Sequence, residues 1–174
     1  MRALRYAAFI AFSLSSTMPL SLGCRDRRDE ERAAKVQRLL ASDDRRLTDL
    51  VAIWVAKKPD EGKTQAERTL TDVDRAFGVV ADEGLAWFEQ NPGDGFTAER
   101  AGLALEAVGL RAHAQVFADL RAARAKGAVP HETIVALEDR LRALPDGSEA
   151  IARWVRAHAG ELRLHEVNEK SVPR

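Results

Sequence analysis

One thiol, four imidazoles and 27 carboxylates are the groups in this 174-residue chain whose types could carry chemistry, and their spacing decides which can. The histidines are His113, His131, His158 and His165. On a helix turning about 100° per residue, His158, Glu161 and His165 fall on one side, as a metal site would require. The two imidazoles are seven residues apart, however, which is roughly 10.5 Å along a helix axis and too far to share one ion. The same stripe carries Ile151, Val155 and Leu162, so both rings read as packing at the edge of a core. No serine stands in a Gly-x-Ser-x-Gly turn that would present a nucleophile, and no glycine-rich phosphate loop occurs. Acid pairs such as Asp72 and Asp74 arise on any charged helix surface, so carboxylate-pair catalysis does not follow from them. The expectation is a protein without enzymatic activity, cofactor, metal or small-molecule substrate.

That leaves the thiol. A single cysteine, Cys24, excludes an intramolecular disulfide and Cys-rich zinc sites. Ahead of it, Arg2 and Arg5 make a short positive start, and the 19 residues from Tyr6 to Cys24 carry no charge. The apolar heart, Ala7 to Leu14, is short and is followed by Ser15, Ser16 and Pro19; a membrane span is longer and more uniform, roughly 20 residues. This is the layout of an export signal over residues 1–23. Leu20-Ser21-Leu22-Gly23-Cys24 resembles the lipobox of bacterial lipoproteins, with the usual leucine one place early. There the sulfur accepts a diacylglycerol group and cleavage frees the cysteine amine for a further acyl chain; several chains anchor far better than one. Ser21 and Gly23 also form a small-x-small pattern at which an ordinary signal peptidase can cut, releasing a soluble periplasmic protein, and an uncleaved N-terminal anchor is a third reading. The expectation adopted is lipid attachment at Cys24 and residence on the periplasmic side of a membrane. Arg25, in place of an acidic retention signal, favours the outer membrane.

The elements behind Cys24 read as helices. Ala, Leu, Arg and Glu abound, aromatic residues make up 6%, and runs of Val, Ile or Thr are few, so sheet is not expected. Residues 24–32, a dense run of mixed charge, read as a tether merging into a first helical turn. Residues 33–167 read as a compact bundle of about six to seven helices joined by short turns, and 168–174 as a disordered tail. The punctuation is local: Ser42-Asp43-Asp44 as an N-cap or kink, Thr64-Gln65-Ala66-Glu67 as a capping box, and Asn91-Pro92-Gly93-Asp94-Gly95 as a turn. A helix from Thr97 stops at Gly109, and Pro145 to Ser148 closes another. Trp54, Trp87 and Phe88 fall in apolar clusters and should be buried.

Gly84 to Asp94, with Trp87, Phe88, Asn91 and Gly93 inside it, and then Ala104-Leu105-Glu106-Ala107-Val108-Gly109, resemble a family of small helical bacterial domains named after a DNA-mimic protein. The capped helix at Thr64 and the segment Leu137 to Leu141 occupy the expected order, so the likeness spans residues 64–144. Glu83 and Leu85 replace the usual Gly and Phe around Gly84, and the turn before Asp94 is one residue short. In the family pattern Gly84 and Gly93 permit tight turns, Phe88 packs where helices meet, and Asp94 caps the next helix. The resemblance implies an all-helical fold, no enzymatic activity, and an acidic surface that binds a DNA-binding protein by imitating phosphates.

Charge bears on that alternative. Residues 60–110 hold 11 acidic and 4 basic groups, and Asp72, Asp82, Glu83 and Glu89 lie beside the apolar stripe, offering one negative face to a basic partner protein. Without residues 1–23 the chain has 25 basic and 27 acidic residues, net −2. Neither sign dominates enough for direct nucleic-acid binding or for strong mimicry of it. The reading favoured is an exported helical interaction or structural module, with the DNA-mimic type as its alternative.

Overall fold

The computed structural model describes residues 23–91 and 93–167. The leader as far as Leu22, Pro92 and the tail from Asn168 lie outside the described residues. Among these there are eight α-helices and no strand: α1 (Gly23–Leu40), α2 (Asp44–Ala56), α3 (Gln65–Asp82), α4 (Trp87–Gln90), α5 (Ala98–Ala107), α6 (Arg111–Arg124), α7 (His131–Arg142) and α8 (Ser148–Ala157). Single 3₁₀ turns occupy Asp60–Gly62 and Leu164–Glu166. The all-helical class read from composition holds, with one more helix than expected because the aromatic pair forms the short α4.

Each helix begins and ends for a local reason. The Asp43 carboxylate accepts the Arg46 amide at 2.9 Å and starts α2. Thr64 and Glu67 satisfy each other's backbone amides, at 3.1 and 3.0 Å, in a complete capping box that starts α3. Thr97 takes the Arg100 amide at 3.2 Å and starts α5. Asp94, expected in that role, is instead paired with Arg75 from α3. The α5 end is a Schellman motif: Gly109 at φ +86° lets its own amide reach Glu106 O and the Leu110 amide reach Leu105 O, at 2.9 and 2.8 Å. At the turn after Asn91 the left-handed residue is Gly95, φ +80°, and not Gly93.

The core follows from the apolar stripes. α5 and α6 form an antiparallel hairpin; α3 packs on α5, α2 lies between α3 and α8, and α7 covers α6. Phe88 sits at the meeting point, edge-on to Phe117 at 5.4 Å and tilted against Phe96 at 5.9 Å. Trp54 is buried, whereas Trp87 is only half-buried, edge-on to Phe88: a helix as short as α4 can turn only one of two adjacent rings inward.

Two expectations about charged segments change. The run Arg25 to Arg32, expected to merge into helix only at its end, is helical throughout, because Val36, Leu39 and Leu40 pack α1 at its far end and surface pairs such as Arg27–Glu31, 3.4 Å, support the turns before it. His158, Glu161 and His165 do not share a helix: α8 ends at Ala157, His158 caps it, and His165 lies in the following 3₁₀ turn. His158 stacks on Trp154 at 4.0 Å instead.

Candidate functional site

The strongest concentration of buried charge surrounds Glu67, whose side chain is fully buried. Its first role is local, as the capping-box acid of α3. Its second is long-range. One oxygen accepts from Lys58 Nζ at 2.9 Å and Arg163 Nε at 3.0 Å, and the other from Arg163 Nη2 at 2.6 Å. Lys58 also meets Glu166 at 2.8 Å and lies over the Trp54 ring at 4.1 Å. Arg163 further donates to Gly62 O at 2.5 Å. Burial alone would raise the Glu67 pKa, but the hydrogen bonds from Arg163, Lys58 and the Thr64 amide outweigh it and hold the carboxyl down at about 2. A carboxyl so firmly ionised cannot exchange protons near neutrality, so this cluster clamps the chain after α8 onto the α2–α3 junction.

The glycine turn of the family-like motif works similarly. Gly84, φ +77°, ends α3 with its amide on Val80 O at 3.2 Å. The next amide, on Leu85, has no helical acceptor and donates to Glu138 Oε1 of α7 at 2.8 Å. A Cβ on residue 84 would stand 2.5 Å from that same oxygen. Gly84, Phe88 and Gly109 thus hold the α3–α4–α5 corner together, and Asn91 closes the following turn through its side chain on Trp87 O at 3.0 Å.

The four acids of the expected negative face fare differently from one another. Asp72 is bound by Arg100 at 2.8 Å, and Glu89 by Arg124 at 3.4 Å, while Arg124 also reaches Phe88 O at 3.1 Å. Asp82 and Glu83, at the end of α3, are exposed and make no ion pair among the described residues. Two of the four charges are therefore answered within the molecule. For Cys24 the structure describes the backbone, at the start of α1.

His113 is the other buried titratable group. Its Nε2–H donates to Pro145 O at 3.0 Å and its ring meets Phe77 edge-on. Burial lowers its pKa, and the Pro145 bond only partly opposes this.

Among the described residues no cluster of three or more His, Cys, Asp or Glu is placed to hold a metal ion, and no helix is long and apolar enough to cross a membrane. Two surface grooves measure about 260 and 270 Å³, below the roughly 300–1,000 Å³ usual for small-molecule sites. Comparison with protein-family models, with curated proteins and with solved structures finds no match. The resemblance stated above therefore rests on its motif residues alone.

Sequence reasoning read Glu67 only as a helix cap. Lys58, nine residues away, and Arg163, 96 residues away, were legible as charges but not as its partners.

Proposed function

We propose that the chain is an exported helical module without enzymatic activity, anchored through lipid on Cys24 to the periplasmic side of a bacterial membrane, the outer membrane in particular. Its bundle serves as an interaction or structural domain.

The observation that carries this reading is the junction after Cys24. An uncharged stretch from Tyr6 ends on Gly23-Cys24, and α1 then runs on with every side chain from 27 to 34 exposed. A helix that buries nothing over eight residues contributes no core; it does supply distance. From Cys24 to Lys35, where packing begins, the rise is roughly 16 Å, so α1 fits a stalk that stands the bundle off a membrane surface. The acidic alternative, a mimic that captures a DNA-binding protein, has less support because Arg100 and Arg124 occupy Asp72 and Glu89.

Expression in a bacterial host with radiolabelled palmitate tests the anchor. The wild-type chain should take up label and stay with membranes through a carbonate wash, and Cys24→Ser should lose both properties. A Cys24→Ser chain that stays membrane-bound after the wash would mean that the leader itself is the anchor, and an unlabelled, soluble wild-type chain would mean ordinary signal cleavage.

A further inference from the structure

The α5–α6 hairpin leaves one face uncovered, a groove of about 260 Å³. Its floor is Gly102, Ala114 and Ala118, where the helices approach so closely that a Cβ on residue 102 would lie 3.4 Å from Phe117 Cβ. Beside this floor stands Leu103, 61% exposed, the most exposed large hydrophobic residue among those described. Acids of α5 form one rim, Glu99 and Glu106; arginines of α6 form the other, Arg111 and Arg121. Glu99 and Arg121 pair at 3.1 Å at one end. At the other end Glu106 and Arg111 line the same groove, yet neither makes an ion pair among the described residues.

We propose that this face binds a second copy of the chain, about a two-fold axis lying in the interface parallel to the two helices. Rotation about that axis keeps every residue at its own level and lays α5 of one copy over α6 of the other. Glu106 then meets the partner's Arg111, and its own Arg111 meets the partner's Glu106. The Glu99–Arg121 pairs merge into a four-charge cluster of alternating sign. Because α5 and α6 run antiparallel around a tight turn, Leu103 stands level with Ala114 and Ala118 and enters the small-residue floor of the partner. The other two-fold axis in the plane, across the helices, would set Glu99 against Glu106 and Arg111 against Arg121; like charges facing each other disfavour it. The charge layout therefore selects one arrangement.

Ten residues line the groove, against roughly 20–30 on each side of a standard interface, so the contact is a weak one in solution. Confinement of both copies to one membrane would strengthen it by raising their effective concentration. The contact itself requires nothing of the anchor, and Cys24→Ser should dimerise like the wild type.

Sedimentation equilibrium of the full chain in a density-matched non-ionic detergent, at low and high salt, is the test. The expected result is a reversible monomer–dimer equilibrium that weakens as salt rises, with Leu103→Glu raising the dissociation constant about tenfold or more. Glu106→Arg and Arg111→Glu should each weaken it, and the double swap should return it to within about threefold of wild type. All three positions are exposed, so each variant should keep the wild-type circular dichroism spectrum and melting curve. A wild-type chain still monomeric at about 1 mM, where a contact of even millimolar Kd would be partly formed, overturns the proposal. So does a dimer indifferent to Leu103→Glu, or a charge swap without rescue.

Discussion

Replacing Glu67 by Gln removes one charge and keeps the side chain's shape, leaving Lys58 and Arg163 without their common partner. Two routes give the size of the effect. The gap between an ordinary 4.5 and about 2 in the folded protein corresponds, at about 1.4 kcal/mol per tenfold change in proton affinity, to roughly 3 kcal/mol. Breaking a buried ion pair from one side costs about 3–5 kcal/mol. The lower end applies here, because Lys58 keeps Glu166 at 2.8 Å and the Arg163 side chain is 38% exposed. Glu67→Gln should therefore destabilise by roughly 3 kcal/mol at pH 7 and lower the Tm by about 6–12 °C in a domain of this size. The sign of the pH dependence follows from the depressed pKa: the carboxylate's contribution is complete above about 4.5 and is lost as pH falls towards 2. Urea denaturation from pH 7 to pH 2, followed by tryptophan fluorescence, measures the difference between wild type and variant; Trp54, with Lys58 over its ring, reports on the cluster directly. Amides from Leu162 to Val167 should also exchange faster in the variant, since Arg163 holds that segment down. A difference below about 1 kcal/mol at neutral pH, or one equally large near pH 2, would refute the reasoning, because either result means the charge is not held by desolvated partners.

Phe88→Ala should cost about 3–5 kcal/mol, read by thermal or urea denaturation, because the ring fills the space between Phe96 and Phe117; an unchanged melting curve would place that ring outside the core. Gly84→Ala should cost about 1–3 kcal/mol and speed exchange of the Leu85 amide, since the added methyl group displaces Glu138 and the backbone is left-handed there. Histidine NMR should show His113 titrating below 6.5. With a lowered folded-state pKa the unfolded chain takes the proton first, so stability should decline as pH drops below 6.5, a slope that His113→Phe removes.

What the sequence revealed depended on how far apart the partners stand. Thr64 and Glu67, Asp43 and Arg46, and Gly109 with Leu110 act within a turn or two of the chain, and each was readable from residue type and spacing. Asp94 is the instructive failure. As an acid shortly before a helix it looks like a cap, but Thr97 lies nearer the first turn and Arg75, 19 residues earlier, claims the carboxylate. Asp72 and Glu89 read as free surface charge for the same reason: Arg100 and Arg124 lie 28 and 35 residues away, on helices whose packing angle no local pattern encodes. Leu103 and Leu105 are both apolar and two positions apart, so a helix can bury only one of them. Which one is set by α6, and the structure buries Leu105 while leaving Leu103 in the open.

The same long-range contacts decide how firmly the bundle is joined to α1. The break between α1 and α2 spans three residues and would be the natural place for a hinge. Arg156 of α8 closes it: its guanidinium donates to Leu40 O at 3.0 Å and Ser42 O at 2.9 Å, and pairs with Asp44 at 2.6 Å. These bonds satisfy carbonyls that the end of α1 leaves free, so bending the junction would expose or orphan them. Lys35 adds a bond from the α1 side to His165 O at 2.7 Å, and Thr64 one to Glu161 O at 3.1 Å, so the segment after α8 is fastened to both α1 and α3. The packed end of α1 and the segment after α8 thus meet on the same locked corner. An anchor at Cys24 would then hold the bundle on a helix continuous with its core rather than on a flexible leash, and the α5–α6 face would be presented at an attitude set by α1.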